Sequence, residues 1–188
     1  MNNKSTITTR KIVITSLMAA LTVAGSAIRV TMPVDIGDTT SFHLGNIMCA
    51  LAGLLLGPWY GGLAAGLGSA IYDIMNPLYI SECWITFLTK GAYGLVAGLI
   101  AYVVTKNWGY PKAVLASAGG AVTYALLFLA KKYFYDGLLI KGLTPDAALL
   151  TIYTKLPATI FNAVVAIIFA PILAIAIRKA LEANHIEI

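Results

Sequence analysis

Between Leu149 and Ile177 the chain carries a single charged side chain, Lys155. About 20 apolar residues are enough to cross the hydrocarbon core of a bilayer as an α-helix. A stretch of this length and character is too apolar for a surface loop and too long for an ordinary core helix. The rest of the chain repeats the theme. Its residues are 59% hydrophobic and only 11% charged, against about 25% charged in soluble domains. A water-soluble fold of 188 residues has too much surface for its volume to hide that apolar area. The sequence therefore predicts an all-α, polytopic membrane protein, in which lipid solvates the apolar faces.

Six spans are expected in one transmembrane domain covering residues 1–188: about 12–30, 44–56, 63–75, 83–104, 113–130 and 149–177. The start, with Lys4, Arg10 and Lys11, has the flank of a signal peptide. The apolar run behind it is longer than a signal-peptide core and more spans follow, so it reads as a retained first helix. Spans 2 and 3 are short. Gly57-Pro58-Trp59-Tyr60-Gly61-Gly62 separates them, and Asn76 to Glu82 follows. They are read as two tilted crossings or as one re-entrant hairpin, the latter lowering the count to four. Thr31–Phe42 and Lys131–Ala147 read as polar loops.

Lysine and arginine favour the cytoplasmic side. With the N-terminus inside, that side holds Lys4, Arg10, Lys11, Lys106, Lys112, Arg178 and Lys179, against Arg29, Lys131, Lys132 and Lys141 outside. An N-in, C-in bundle follows. Trp59, Tyr60, Trp108 and Tyr110 fall at the inner turns, and Tyr79, Trp84, Tyr133 and Tyr135 at outer edges, as interfacial aromatic belts do. The net charge of +5 is scattered over these loops, so nucleic acid is not an expected partner.

Charges within spans are costly and usually face a cavity or a partner. Lys90 lies about 12 Å below the outer end of span 4 at 1.5 Å per residue. Lys155 and Asp73 lie in the same outer half. Their convergence suggests a polar pocket opening outward, with a structural Lys–Asp pair or snorkelling lysines as the alternative. Trp84, Tyr93, Tyr124 and Tyr153 offer flat walls for a ring. His43, with Asn46 on the next turn, caps span 2 or lines the pocket. Asn162 is inter-helix glue or pocket floor. In span 1, Ser16, Ala20 and Ala24 recur every fourth residue, so they share one face. Small residues there permit close approach of another helix, from a partner or from this chain. Gly53, Gly62, Gly66 and Ala70 read as tight internal packing. Cys49 and Cys83 are spaced for neither a metal site nor a disulfide framework. No Walker, G-x-S-x-G or H-E-x-x-H motif is present, so no enzyme activity, cofactor or metal is expected.

The run Phe42-His43-Leu44-Gly45-Asn46, the run Leu51 to Ala70 with Leu55-Leu56-Gly57-Pro58-Trp59-Tyr60-Gly61-Gly62 at its centre, and Asp73 together resemble the S component of energy-coupling factor (ECF) vitamin transporters. The likeness runs from Thr9 to Leu181 and is to the group that includes riboflavin, hydroxymethylpyrimidine and pyridoxine types. It implies one vitamin-like ligand near the outer face, under a cover formed by Thr31–Phe42 and Asn76–Ser81. It implies a transmembrane T component docking on the face of Ser16, Ala20 and Ala24, two cytoplasmic ATPase subunits, and a prokaryotic plasma membrane. By position, it implies substrate contacts from Glu82, Trp84, Lys90, Lys131, Tyr153 and Lys155. A stand-alone channel or secondary carrier is the alternative function.

Overall fold

A computed structural model of the chain describes residues 3–35, 38–104 and 109–185. The order is α1 (Asn3–Ala27), β1 (Arg29–Asp35), β2 (Asp38–His43), α2 (Gly45–Ile74), α3 (Cys83–Leu99), α4 (Tyr110–Ala130) and α5 (Pro145–Ala183). Among the described residues, five helices are long and apolar enough to cross a membrane: Thr9–Ala27, Gly45–Ile74, Ile80–Val103, Tyr110–Ile140 and Pro145–Ala183. Lys106 and Trp108, expected at an inner turn, lie outside the described residues.

The second helix is not a straight rod. Gly57 has φ 76° and ψ −172°, a conformation a side chain resists, and Pro58 further disfavours helical geometry in the residue before it. The chain doubles back there. Cys49 Sγ sits 3.6 Å from Ser69 Oγ, although 20 residues of straight helix would span about 30 Å. The two arms, 45–56 and 58–74, thus lie side by side. A Cβ on Gly61 would meet the carbonyl oxygen of Ala52 at 2.6 Å. The expected break at 57–62 is confined to Gly57, because Trp59 to Gly62 are already helical.

Small residues let α3 press on this folded pair. A Cβ on Gly94 would fall 2.6 Å from the carbonyl oxygen of Gly61, and one on Gly53 would collide with the Gly94 carbonyl. Van der Waals contact between backbones substitutes for the hydrophobic effect, which gives no drive between helices in lipid. Cys49, Ala50, Ala52, Leu54, Ala64 and Ala65 are buried in this core.

One end of the bundle gathers the elbow at Gly57, the start of α1 and the end of α5. Lys11 lies over the Tyr60 ring at 5.6 Å. Arg178 donates to the Leu54 carbonyl at 3.0 Å and to the Tyr102 hydroxyl at 2.7 Å. Tyr102 in turn donates to Leu55 O at 2.6 Å.

At the opposite end, two expected loops contain regular structure. Residues 31–35 and 38–42 belong to an antiparallel strand pair in which Arg29 faces His43 and Thr31 faces Ser41. Residues 131–140, also read as loop, continue α4 in wider π-type turns. The charges that suggested a loop are paired there: Lys132 with Asp136 at 2.6 Å and Lys131 with Asp136 at 3.6 Å. Gly142, at φ 60°, ends this helix, in the left-handed conformation common just past a helix C-terminus. Thr144 then caps α5, accepting from Ala147 N at 3.4 Å, with Pro145 at the first helical position.

Candidate functional site

A chamber of about 590 Å³ occupies the hairpin end. That lies within the range of small-molecule sites, roughly 300–1,000 Å³. Its walls come from every main element: Arg29 and His43 from the hairpin, Asn46 and Asp73 from the two arms of α2, Lys90 from α3, Tyr124 and Lys131 from α4 and its extension, and Lys155 and Asn162 from α5.

Four of the six expected contact residues line it: Glu82, Lys90, Lys131 and Lys155. Lys90 and Lys155 are 5% and 2% exposed, so both ammonium stems are enclosed by protein. Lys90 Nζ donates to Asn46 Oδ1 and lies 3.8 Å from the centre of the Tyr124 ring. Lys131 pairs with Glu82, linking the start of α3 to the extension of α4 across the mouth.

The structure does not bring Trp84 and Tyr153 to the chamber. They are 53% and 65% exposed, and Trp84 instead packs edge-on against Tyr135 at 5.9 Å. Helical phase explains both positions. Successive residues turn by about 100°, so Trp84 sits about 120° from Lys90, and Tyr153 about 160° from Lys155. Among the other ring candidates, Tyr124 lines the chamber, while Tyr93 is fully buried behind it in a stacked pair with Tyr124.

Asn162 fastens β2 to α5 beside the chamber. Its Oδ1 accepts from His43 N at 3.1 Å, and its Nδ2 donates to Ser41 O at 2.8 Å. Phe42 adds an edge-on contact with Phe161 at 4.9 Å. The side chain expected as inter-helix glue or pocket floor lines the chamber and holds the backbone of β2.

His43 Nδ1 accepts from Gly45 N at 3.1 Å, which places the neutral ring's proton on Nε2. Burial, with the nearby Lys90 and Arg29 charges, pushes the imidazole well below its usual pKa. His43, a wall residue, is therefore held in its neutral form.

Sequence reasoning missed Arg29, Tyr72, Tyr79 and Lys132 as wall residues. Arg29 stands over Tyr72 at 4.3 Å and Tyr79 at 5.2 Å. In the sequence it is only a basic flank of span 1, and nothing local signals that the following hairpin turns it inward. The expected docking residues Ser16, Ala20 and Ala24 are exposed along one side of α1, whose opposite side packs on α2 through Ala19 and Gly68.

The family model for "ECF-type riboflavin transporter, S component" matches residues 6–179. An uncharacterized protein of Pyrococcus woesei is 30% identical over 118 residues, covering 63% of this chain and 74% of that protein. A UPF0397 protein of Streptococcus gordonii is 33% identical over 96 residues, 51% of this chain and 49% of its own length. Among solved structures, the S component for biotin from an ECF-type ABC transporter has a TM-score of 0.61 at 14% identity, covering 92% of this chain and 94% of that one. That likeness is one of fold. The polar chamber in a bundle of membrane-length helices and the match over residues 6–179 agree: the chain belongs to the S-component family of ECF-type riboflavin transporters, multi-pass membrane subunits that bind the substrate of a vitamin importer and are not enzymes.

Proposed function

We propose that this chain captures a small ring-bearing vitamin or precursor outside the cell and delivers it to an ECF-type importer of the prokaryotic plasma membrane. The pyridine and pyrimidine types, such as pyridoxine or hydroxymethylpyrimidine, are the leading classes, with riboflavin next. The carrying observation is the chamber, in which the buried Lys90 and Lys155 supply donors and Tyr124 supplies a flat wall. A buried ammonium facing an empty channel would be costly. Facing a ligand with acceptors, it becomes a recognition group.

In this reading the single domain crosses the membrane six times, with the two arms of α2 as separate crossings and both termini in the cytoplasm. The meeting of the α1 start, the α2 elbow and the α5 end at one pole supports it. So do Lys11, Arg178 and Lys179 near that pole. The hairpin then faces outward as the cover. The small-residue side of α1 docks on a transmembrane T component, and two ATPase subunits drive release inward.

Mass spectrometry of the small molecules that co-purify with the detergent-solubilised chain tests the ligand class, which is expected to be a ring compound of vitamin size. Replacing Ala20 and Ala24 by leucine should abolish uptake while leaving ligand affinity intact. Uptake that persists without any ATPase partner would instead support a stand-alone carrier.

A further inference from the structure

The ion pairs of the chamber consume its acids unevenly. Lys131 takes Glu82, and Lys131 and Lys132 share Asp136. Among the described residues, Asp73 is the remaining carboxylate on the wall. Arg29, Lys90, Lys141 and Lys155 line the same space.

Arg29 and Lys90 are held only by neutral groups in the contacts the structure gives them. Arg29 Nε donates to Ser26 O at 2.9 Å, and its guanidinium covers Tyr72 and Tyr79. Lys90 has the Asn46 amide oxygen and the Tyr124 face. Among the described residues, neither lies within ion-pair distance of a carboxylate. Ser26, which holds Arg29, packs against Gly45 beside His43, and Gly45 is next in the chain to the Asn46 that holds Lys90. The two cations therefore face one part of the chamber that both line.

Two consequences follow from charge alone. Lys90 is a buried cation with no carboxylate in contact, which is unfavourable, and an anion brought to it and to the half-buried Arg29 recovers the loss. Arginine has five N–H donors and lysine three, so each keeps donors to spare beyond its neutral partners. Four of the five aromatic rings on the wall, Tyr72, Tyr79, Tyr124 and Phe128, which would attract a cationic ligand, already carry one of the protein's own cations.

Building on the uptake reading above, we propose that the ligand is a ring-bearing anion whose carboxylate or phosphate is held between Arg29 and Lys90. Tyr124 flanks this point, and neutral His43 lines the same chamber. The neutral form of the same ring lacks the group that these two cations recognise.

The test uses the full chain in nanodiscs and isothermal titration with matched probes: pyridoxine and its 5′-phosphate, hydroxymethylpyrimidine and its phosphate, riboflavin and its 5′-phosphate, nicotinamide and nicotinate. In at least one pair the anionic member is expected to bind at least about tenfold more tightly. Nicotinate as the winner assigns a carboxylate, and a phosphorylated winner assigns a phosphate. Equal or tighter binding of the neutral members overturns the anion assignment and leaves the uptake reading standing. Binding of none of the eight overturns both.

Arg29→Gln and Lys90→Gln should each weaken the preferred anion at least about tenfold more than they weaken its neutral partner. Equal loss for both members would mean that the two side chains shape the chamber rather than recognise charge. The wild-type comparison stands even where a variant fails to fold.

Discussion

The folded pair of α2 arms with α3, and the chamber at the hairpin end, are built on opposite principles. In the first, glycine and alanine remove side chains until backbones touch, as where Gly94 meets Gly61. In the second, long charged side chains from hairpin and helices surround open space. Tight packing has few alternative arrangements, because neighbours cannot move without colliding. Polar side chains around a void can re-pair with a ligand. The contrast separates a frame that must not change from a site that must respond.

The largest expected effect breaks the frame. Gly53→Val places a branched side chain where even a Cβ collides with the Gly94 carbonyl and comes within 2.9 Å of Gly98 N. A loss of about 3 kcal/mol or more is expected. Thermal unfolding monitored by size-exclusion chromatography checks it. A stable, monodisperse variant would show that the close approach is dispensable.

A smaller effect separates cover from frame. Asn162→Ala removes both hydrogen bonds to the hairpin backbone, at about 1 kcal/mol each. Ligand should dissociate about tenfold faster or more, while unfolding, governed by the frame, shifts by only a few degrees. Stopped-flow release and a melting curve read the two quantities. Unchanged release would mean that the hairpin does not retain the ligand.

The smallest effect concerns pH. His43 is held below its usual pKa, so the unfolded chain, with an ordinary histidine near pH 6.5, binds the extra proton more readily. This group's contribution therefore lowers stability as pH falls below about 6.5, with a slope of at most about 1.4 kcal/mol per pH unit. His43→Asn keeps an acceptor for Gly45 N and removes the titration. Its stability between pH 6.5 and 5 should decline less than that of the wild type. Parallel curves would contradict the neutral assignment.

The helices were legible because lipid-facing stretches need only length and apolarity, as Leu149–Ile177 illustrates within α5. The elbow was legible because Gly57-Pro58 breaks a helix locally. The hairpin was not: Thr31 to Phe42 is polar and carries Pro33, and its strands are defined by pairing with each other rather than by a strong alternating pattern. The extension of α4 was hidden because Lys131, Lys132 and Asp136 look like loop residues until their mutual neutralisation is seen. At the site, Lys90 and Lys155 stood out because intramembrane charge is rare. Trp84 and Tyr153 were placed by depth alone, and depth says nothing about which side of a helix faces inward. Arg29 required the tertiary path of the hairpin.

Equilibrium binding of the co-purified ligand to two sets of variants tests the chamber most directly. Lys90→Ala and Lys155→Ala should each weaken binding at least tenfold, about 1.4 kcal/mol, whereas Trp84→Ala and Tyr153→Ala should retain wild-type affinity. Wild-type affinity in both lysine variants, or losses confined to Trp84 and Tyr153, would place the ligand elsewhere.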